Sequence, residues 1–142
     1  QIREPHEFAI GYRHVLPLSA PDEYFVAAWF RFRKGDGEGA RKTIKDLLAR
    51  RIASQPLAQP NAGSVFRNPP GSFAAKLIES CGLKGRRIGG AEVSTMHANF
   101  IVTDESATAR DIEELIALVR DTVMQKTGVH LEQEVRIVGE AT

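Results

Sequence analysis

A chain of 142 residues and 15.6 kDa holds one or two small domains. Hydrophobic content of 42%, charged content of 26% and a mean hydropathy of −0.24 describe an ordinary globular protein, and exclude a disordered tail, a collagenous repeat and a coiled coil. Nineteen Lys and Arg against eighteen Asp and Glu leave +1, so no bulk field draws the chain to nucleic acid or to an anionic membrane.

The chain opens on QIREPHEFAI, which lacks the apolar core of a signal peptide. No run approaches the ~18–20 apolar residues that span a bilayer, so a cytoplasmic location is expected. Pro5, Gly11 and Pro17 interrupt every period over residues 1–18, which read as irregular, and Ser19-Ala20-Pro21-Asp22 reads as a turn. YFVAAWFRFR, residues 24–33, is aromatic and ends in alternation, which predicts a strand. KGDGEG, residues 34–39, is a loop. Over residues 40–53, Ile44, Leu47, Leu48 and Ile52 follow helical spacing, with a stop expected before Gln55-Pro56.

QPLAQPNAGS, residues 55–64, is a loop; residues 64–67 read as a short strand that Asn68-Pro69-Pro70-Gly71 ends. Ser72 is the expected cap of a helix with Phe73, Leu77 and Ile78 on its apolar face. Cys81, the single cysteine, excludes an internal disulfide and a Cys-built zinc site, and reads as core. A glycine-dense stretch leads to Val93 and a strand over residues 99–102. Thr108 with Asp111 makes a capping box. Ile112, Leu115, Ile116, Val119 and Val123 then mark a helix that Gly128 stops. A last strand alternates Val129, Leu131, Val135 and Ile137 against Glu132, Glu134 and Arg136. The order predicts an α+β fold, with an N-terminal stretch whose strand finds no evident partner in the chain.

Several segments carry candidate chemistry. Gly35-x-Gly37-x-x-Ala40 matches a dinucleotide fingerprint in form, but Asp36 and Glu38 would face the pyrophosphate, so a solvated turn is the better reading. Gly63 permits a special backbone angle immediately before Ser64. A hydrolase G-x-S-x-G would need glycine where Phe66 stands, which leaves Ser64 as a proton donor or as a turn hydroxyl. Glu134 sits among charges on the last strand, either as a tuned carboxylate or as a solvated one. Lys84-Gly85-Arg86-Arg87 suits phosphate, or a basic surface turn. His97 has no companion at metal-ligand spacing, and so reads as a hydrogen-bonding residue at most.

Taken together, NAGSVFRNP at 61–69, the LIE-CGLKG-RIGGA run at 77–91, His97-Ala98-Asn99-Phe100 and LEQEVRIVG at 131–139 resemble the C-terminal half of the UDP-N-acetylmuramate dehydrogenases. These are the flavin-dependent UDP-N-acetylenolpyruvoylglucosamine reductases of bacterial peptidoglycan synthesis. Gly11-Tyr12-Arg13 is similar to that family's G-Y-R motif, and residues 51–56 to its R-x-x-x-Q-P stretch. The resemblance implies an oxidoreductase that uses FAD, with NADPH as hydride donor, to convert UDP-N-acetylglucosamine enolpyruvate to UDP-N-acetylmuramate. It implies Arg13, Ser64 and Glu134 as catalytic residues, with Ser64 protonating the enolate. It implies Tyr12, Arg51, Asn68, Lys84 and His97 as substrate contacts.

Fifty-one positions separate Arg13 from Ser64, which resembles the shorter type of the family, without its inserted loop. The resemblance places residues 1–39 in the second FAD-binding domain, 40–133 in the substrate-binding domain and 134–142 in a strand returning to the flavin domain. The N-terminal FAD-binding domain is then absent, so this chain alone is expected to hold flavin poorly and to be inactive. The competing readings are a nucleotide-sugar or phosphate-binding module using Asn68, Lys84 and Arg86 without catalysis, and an RNA-binding domain using Arg86 and Arg87. Near-zero net charge weighs against the RNA reading.

Overall fold

The computed structural model describes residues 1–19 and 22–139, and the chain divides into two units, Gln1–Asp36 and Gly37–Thr142. In the first unit Pro5 opens a single 3-10 turn, Pro5–Glu7, where its fixed φ and missing N–H cost nothing. Glu7 turns back to accept from Glu4 N at 2.7 Å. The chain then forms a hairpin: β1 (Phe8–Gly11) pairs antiparallel with β2 (His14–Pro17), Phe8 opposite Pro17 and Gly11 opposite His14. The expectation of irregular structure over residues 1–18 is therefore corrected. The turn is the Tyr12-Arg13 pair, which lacks the Asn-Gly signature that announces a hairpin in sequence.

The expected strand at residues 24–33 does not form. Val26, Trp29, Phe30 and Phe32 are exposed, and no backbone among the described residues offers the segment a ladder. Aromatic and β-branched residues favour strands because they fit a half-buried pleat, and without a paired neighbour that preference has nothing to act on. Ala20 and Pro21 of the expected turn lie outside the described residues.

The second unit begins with α1 (Gly37–Ser54), longer at its N-terminus than expected and ending just before Gln55-Pro56 as the sequence predicts. Its apolar positions Ile44, Leu47, Leu48 and Ile52 are exposed, and the helix buries no residue. The core lies further along. α2 (Ala74–Ser80) and α3 (Ala109–Thr127) pack with a three-stranded antiparallel sheet, β3 (Arg87–Ile88), β4 (Ala91–Val93) and β5 (Ile101–Thr103), in the order β3-β4-β5. β5 begins two residues later than the strand expected at 99–102, because Asn99 and Phe100 belong to the turn that feeds it.

α3 forms as read. Thr108 Oγ1 accepts from Asp111 N at 3.2 Å and Asp111 Oδ2 accepts from Thr108 N at 2.9 Å, closing the capping box. Gly128 ends the helix at φ 71°, the left-handed angle that favours glycine. Leu115, Ile116, Val119 and Val123 are all buried, against Ile78, Cys81, Leu83, Val93 and Leu131. Each fully buried side chain of this kind contributes about 1.5–3 kcal/mol.

Two expectations in this unit are corrected. The cap of α2 is Phe73, not Ser72; the first amide of the helix, Ala74 N, donates to Asn68 Oδ1 at 3.0 Å, across the Pro69-Pro70-Gly71 bend. The alternating segment 129–137 is not a ladder strand: it meets residues 64–67 through one isolated bridge, Phe66 opposite Gln133. Leu131 is buried as its phase predicts, but Ile137 is exposed.

Candidate active-site segment

The segment 61–68 is held from three sides. Asn61 ties the loop before it, Nδ2 donating to Pro56 O at 3.0 Å and to Gln59 O at 2.7 Å, while Oδ1 accepts from Gly63 N at 2.9 Å. Gly63 then takes φ +82°, a left-handed turn with open space where a side chain would stand. Ser64 follows directly and is half-buried.

Beyond Ser64 the backbone is clamped. On one side Glu134 N donates to Val65 O at 2.8 Å and Arg67 N donates to Glu132 O at 2.8 Å. On the other side Val65 N donates to Asn99 O at 2.9 Å. The Asn99 carboxamide takes both polar groups of Phe66: Oδ1 accepts from Phe66 N at 3.0 Å and Nδ2 donates to Phe66 O at 2.8 Å. Arg67 adds an ion pair to Glu132 at 2.8 Å. Ser64 and Glu134 therefore lie on adjacent, hydrogen-bonded segments, and Oε2 of the half-buried Glu134 is shielded from solvent.

Lys84 lies near enough to His97 for its charge to act on the imidazole. Lys84 Nζ pairs with Glu79 Oε1 at 2.9 Å. The His97 ring meets Phe100 edge-on at 4.9 Å between centroids, and its Nδ1 accepts from Asn99 N at 3.3 Å. Burial pushes the imidazole below its ordinary range, a backbone hydrogen bond at His97 opposes, and the charges of Lys84 and Glu79 act in opposite directions. Ser94 Oγ accepts from His97 N at 3.3 Å and from Met96 N at 3.2 Å, fixing the turn that presents the ring.

Asn68 closes the 61–68 segment and is exposed, its Oδ1 engaged by Ala74 N at the start of α2. Arg51 lies on exposed α1 and donates from Nε to Gln55 Oε1 at 3.1 Å. In the first unit Tyr12 and Arg13 form the hairpin turn, the guanidinium carbon 5.7 Å from the Tyr12 ring centroid. Arg13 takes φ +62°, among the described residues the one non-glycine residue in the left-handed region. Such a conformation costs of order 1–3 kcal/mol and concentrates at functional sites.

The second unit contains a polar pocket of about 120 Å³ around Arg87, Glu92 and Asp104, and an apolar groove of about 380 Å³ walled by Val65, Ile112, Ile116 and Val135. Arg87 of the basic turn lines the polar pocket, but none of the residues that the family resemblance implies lines either of them, so the backbone pairing around Ser64 is the better guide to the site. Sequence reading missed Asn99 and Ser94, both buried. The available signal for Asn99 was a single polar side chain directly before an apolar run, Phe100 to Val102.

Residues 55–138 match the family model for the C-terminal domain of UDP-N-acetylenolpyruvoylglucosamine reductase. The chain is 59% identical over 138 residues to the reductase of that name from Thiobacillus denitrificans, covering 97% of this chain and 43% of that protein. It is 61% identical over 140 residues to the one from Methylococcus capsulatus, covering 98% and 45% respectively. The crystal structure of UDP-N-acetylenolpyruvylglucosamine reductase from Thermus caldophilus aligns with a TM-score of 0.56 at 34% identity, over 72% of this chain and 36% of that one. The chain spans less than half the length of these curated relatives. On this match of 84 consecutive positions, with Ser64, Asn68, Lys84, His97 and Glu134 all inside it, the chain belongs to the UDP-N-acetylenolpyruvoylglucosamine reductase family and contains its C-terminal domain.

Proposed function

We propose that this chain is the substrate-handling part of a UDP-N-acetylenolpyruvoylglucosamine reductase, which saturates the enolpyruvyl ether of a UDP-sugar in peptidoglycan synthesis. In the complete enzyme FAD, reduced by NADPH, would supply the hydride. Among the described residues, the glycine segment at 35–40 does not fit a flavin diphosphate. It is mostly exposed, opens onto empty space and places Asp36 and Glu38 where a diphosphate would need donors. To this chain the reading assigns the handling of the substrate's carboxylate, its UDP group and one proton.

Reduction of the enolpyruvyl double bond adds hydride at the methylene carbon and leaves an electron pair on the neighbouring carbon, delocalised into the carboxylate. A proton must then reach that neighbouring carbon. Ser64 Oγ–H gives it, the O–H bond breaking as the C–H bond forms, and the alkoxide regains its proton from water. A hydroxyl serves as acid only where it is held still against the reacting carbon, because its ordinary acidity is slight. Arg13 forks onto the substrate carboxylate and Glu134 attends the enolic intermediate. Lys84, His97 and Asn68 face the UDP portion, with Tyr12 and Arg51 completing the contacts.

The observation that carries this reading is the family match over residues 55–138, joined to the clamped turn that presents Ser64. The test uses a reductase assembled from this chain and the N-terminal half of a relative. Flavin reduction by NADPH and flavin reoxidation by the enolpyruvyl UDP-sugar are timed separately. Ser64→Ala is expected to leave reduction unchanged and to slow reoxidation by about 10²-fold or more, the range for a positioned acid. Normal reoxidation would overturn the role of Ser64, and UDP binding without turnover in the wild-type assembly would favour a non-catalytic binding module.

A further inference from the structure

Phe66 sits opposite Gln133, yet the hydrogen bonds of that pairing run from the residues on either side, Glu134 N to Val65 O and Arg67 N to Glu132 O. The pairing is therefore the non-hydrogen-bonded kind, and the N–H and C=O of Phe66 point away from the 132–134 segment. In a sheet a further strand would satisfy them. Here one side chain does: Asn99 is 4% exposed, and its Oδ1 and Nδ2 take Phe66 N and O at 3.0 and 2.8 Å. The same residue's carbonyl accepts from Val65 N at 2.9 Å and its own N–H donates to His97 Nδ1 at 3.3 Å. Thus the two residues that follow Ser64 are fixed by three bonds to Asn99, and Asn99 is in turn bonded to His97.

Resting on the reading of Ser64 given above, we propose that Asn99 is a positioning residue for proton transfer: its carboxamide stands in for a missing strand and so sets where Ser64 Oγ lies. A hydroxyl carried one residue before Val65 moves with that peptide. Displacement of a reacting group by about 1 Å costs up to ~10²-fold in rate.

The variants are Asn99→Leu, which removes both bonds while keeping the branched side-chain shape, and Asn99→Asp, which keeps the acceptor for Phe66 N and turns the donor to Phe66 O into an acceptor. Both are measured beside Ser64→Ala in the assembled reductase, and their Val65 and Phe66 amide exchange is measured in the 142-residue chain itself. The expected result is faster amide exchange at both positions. Flavin reoxidation by substrate should fall 10- to 100-fold, with a larger solvent deuterium isotope effect, while flavin reduction by NADPH is unchanged. If Asn99→Leu fails to fold, Asn99→Asp decides alone. Reduction and reoxidation falling together, or reoxidation unchanged where Ser64→Ala slows it, would overturn the positioning role. Normal reoxidation in Ser64→Ala would instead overturn the reading of Ser64 on which it rests.

Discussion

Gly90 offers a sharp test of how the second unit is built. A Cβ there would overlap the Ala107 backbone and crowd Asp104 Oδ1, so no side-chain rotation relieves the clash. Room opens only if the 104–107 turn moves off β4, and that turn is bonded to Gly90 itself. Asp104 N donates to Gly90 O at 3.1 Å, and Gly90 N donates to Asp111 Oδ2 at 3.3 Å, the same carboxylate that closes the capping box of α3. Overpacking of this kind costs ~1–3 kcal/mol, and two weakened hydrogen bonds add about 1 kcal/mol each. Gly90→Ala is therefore expected to destabilise the unit by roughly 3–5 kcal/mol, which for about 100 residues lowers Tm by more than ~12 °C. Gly37→Ala is the control: it opens α1, has nothing within 4 Å of its Cβ and should stay within about 0.5 kcal/mol of the parent. Urea titration followed by circular dichroism at 222 nm measures both. A loss below about 1 kcal/mol for Gly90→Ala, at unchanged m-value, would refute the close-approach argument.

Leu115, fully buried on α3, is expected to cost about 3–5 kcal/mol when changed to alanine, read in the same titration. Lys84→Met should change stability by less than about 1 kcal/mol, because its partner Glu79 is solvated, while weakening UDP binding in calorimetry. For His97 the imidazole is held below its ordinary range, mainly by burial, so on acidification the unfolded chain binds the proton first. Its contribution is present above the unfolded value of ~6.5 and is lost as the pH falls from there through the lower folded value; urea midpoints between pH 7.5 and 5.5 should drop more in the parent than in His97→Gln.

What could be read in advance and what could not divide along one physical line. α3 was legible from start to stop because its signals are local: the Thr108–Asp111 box, the 3.6-residue spacing of its apolar face and the left-handed stop at Gly128 all act within a turn or two. Strands depend on a partner far away in sequence. Residues 24–33 and 129–137 show the period of a strand and lack its ladder, whereas the real hairpin, Phe8 to Pro17, shows little pattern at all. The cap of α2 failed for the same reason, since the Pro69-Pro70-Gly71 bend brings Asn68 Oδ1 to Ala74 N across six residues. At the candidate site, Gly63 before Ser64 was visible because its backbone angle is a one-residue property. Asn99, thirty-three positions from Phe66, was not.

The irregularity around Ser64 is itself informative. Val65 O accepts from Glu134 N at 2.8 Å and from Val135 N at 3.4 Å, so two residues of one segment oppose one of the other, as in a β-bulge. A bulge ends regular pairing and re-aims the side chains beside it, and here those neighbours are Ser64 and Glu134. It also explains why the segment forms no strand despite its apolar content: the ladder stops at Val65, and the polar groups of Phe66 would be buried unpaired, at about 1–3 kcal/mol each, without Asn99. The proposed proton donor thus stands where sheet pairing has been interrupted and a single carboxamide replaces it. Regular pairing through this point would place residue 64 by the pleat alone, and a proton donor has to be placed by the reacting carbon.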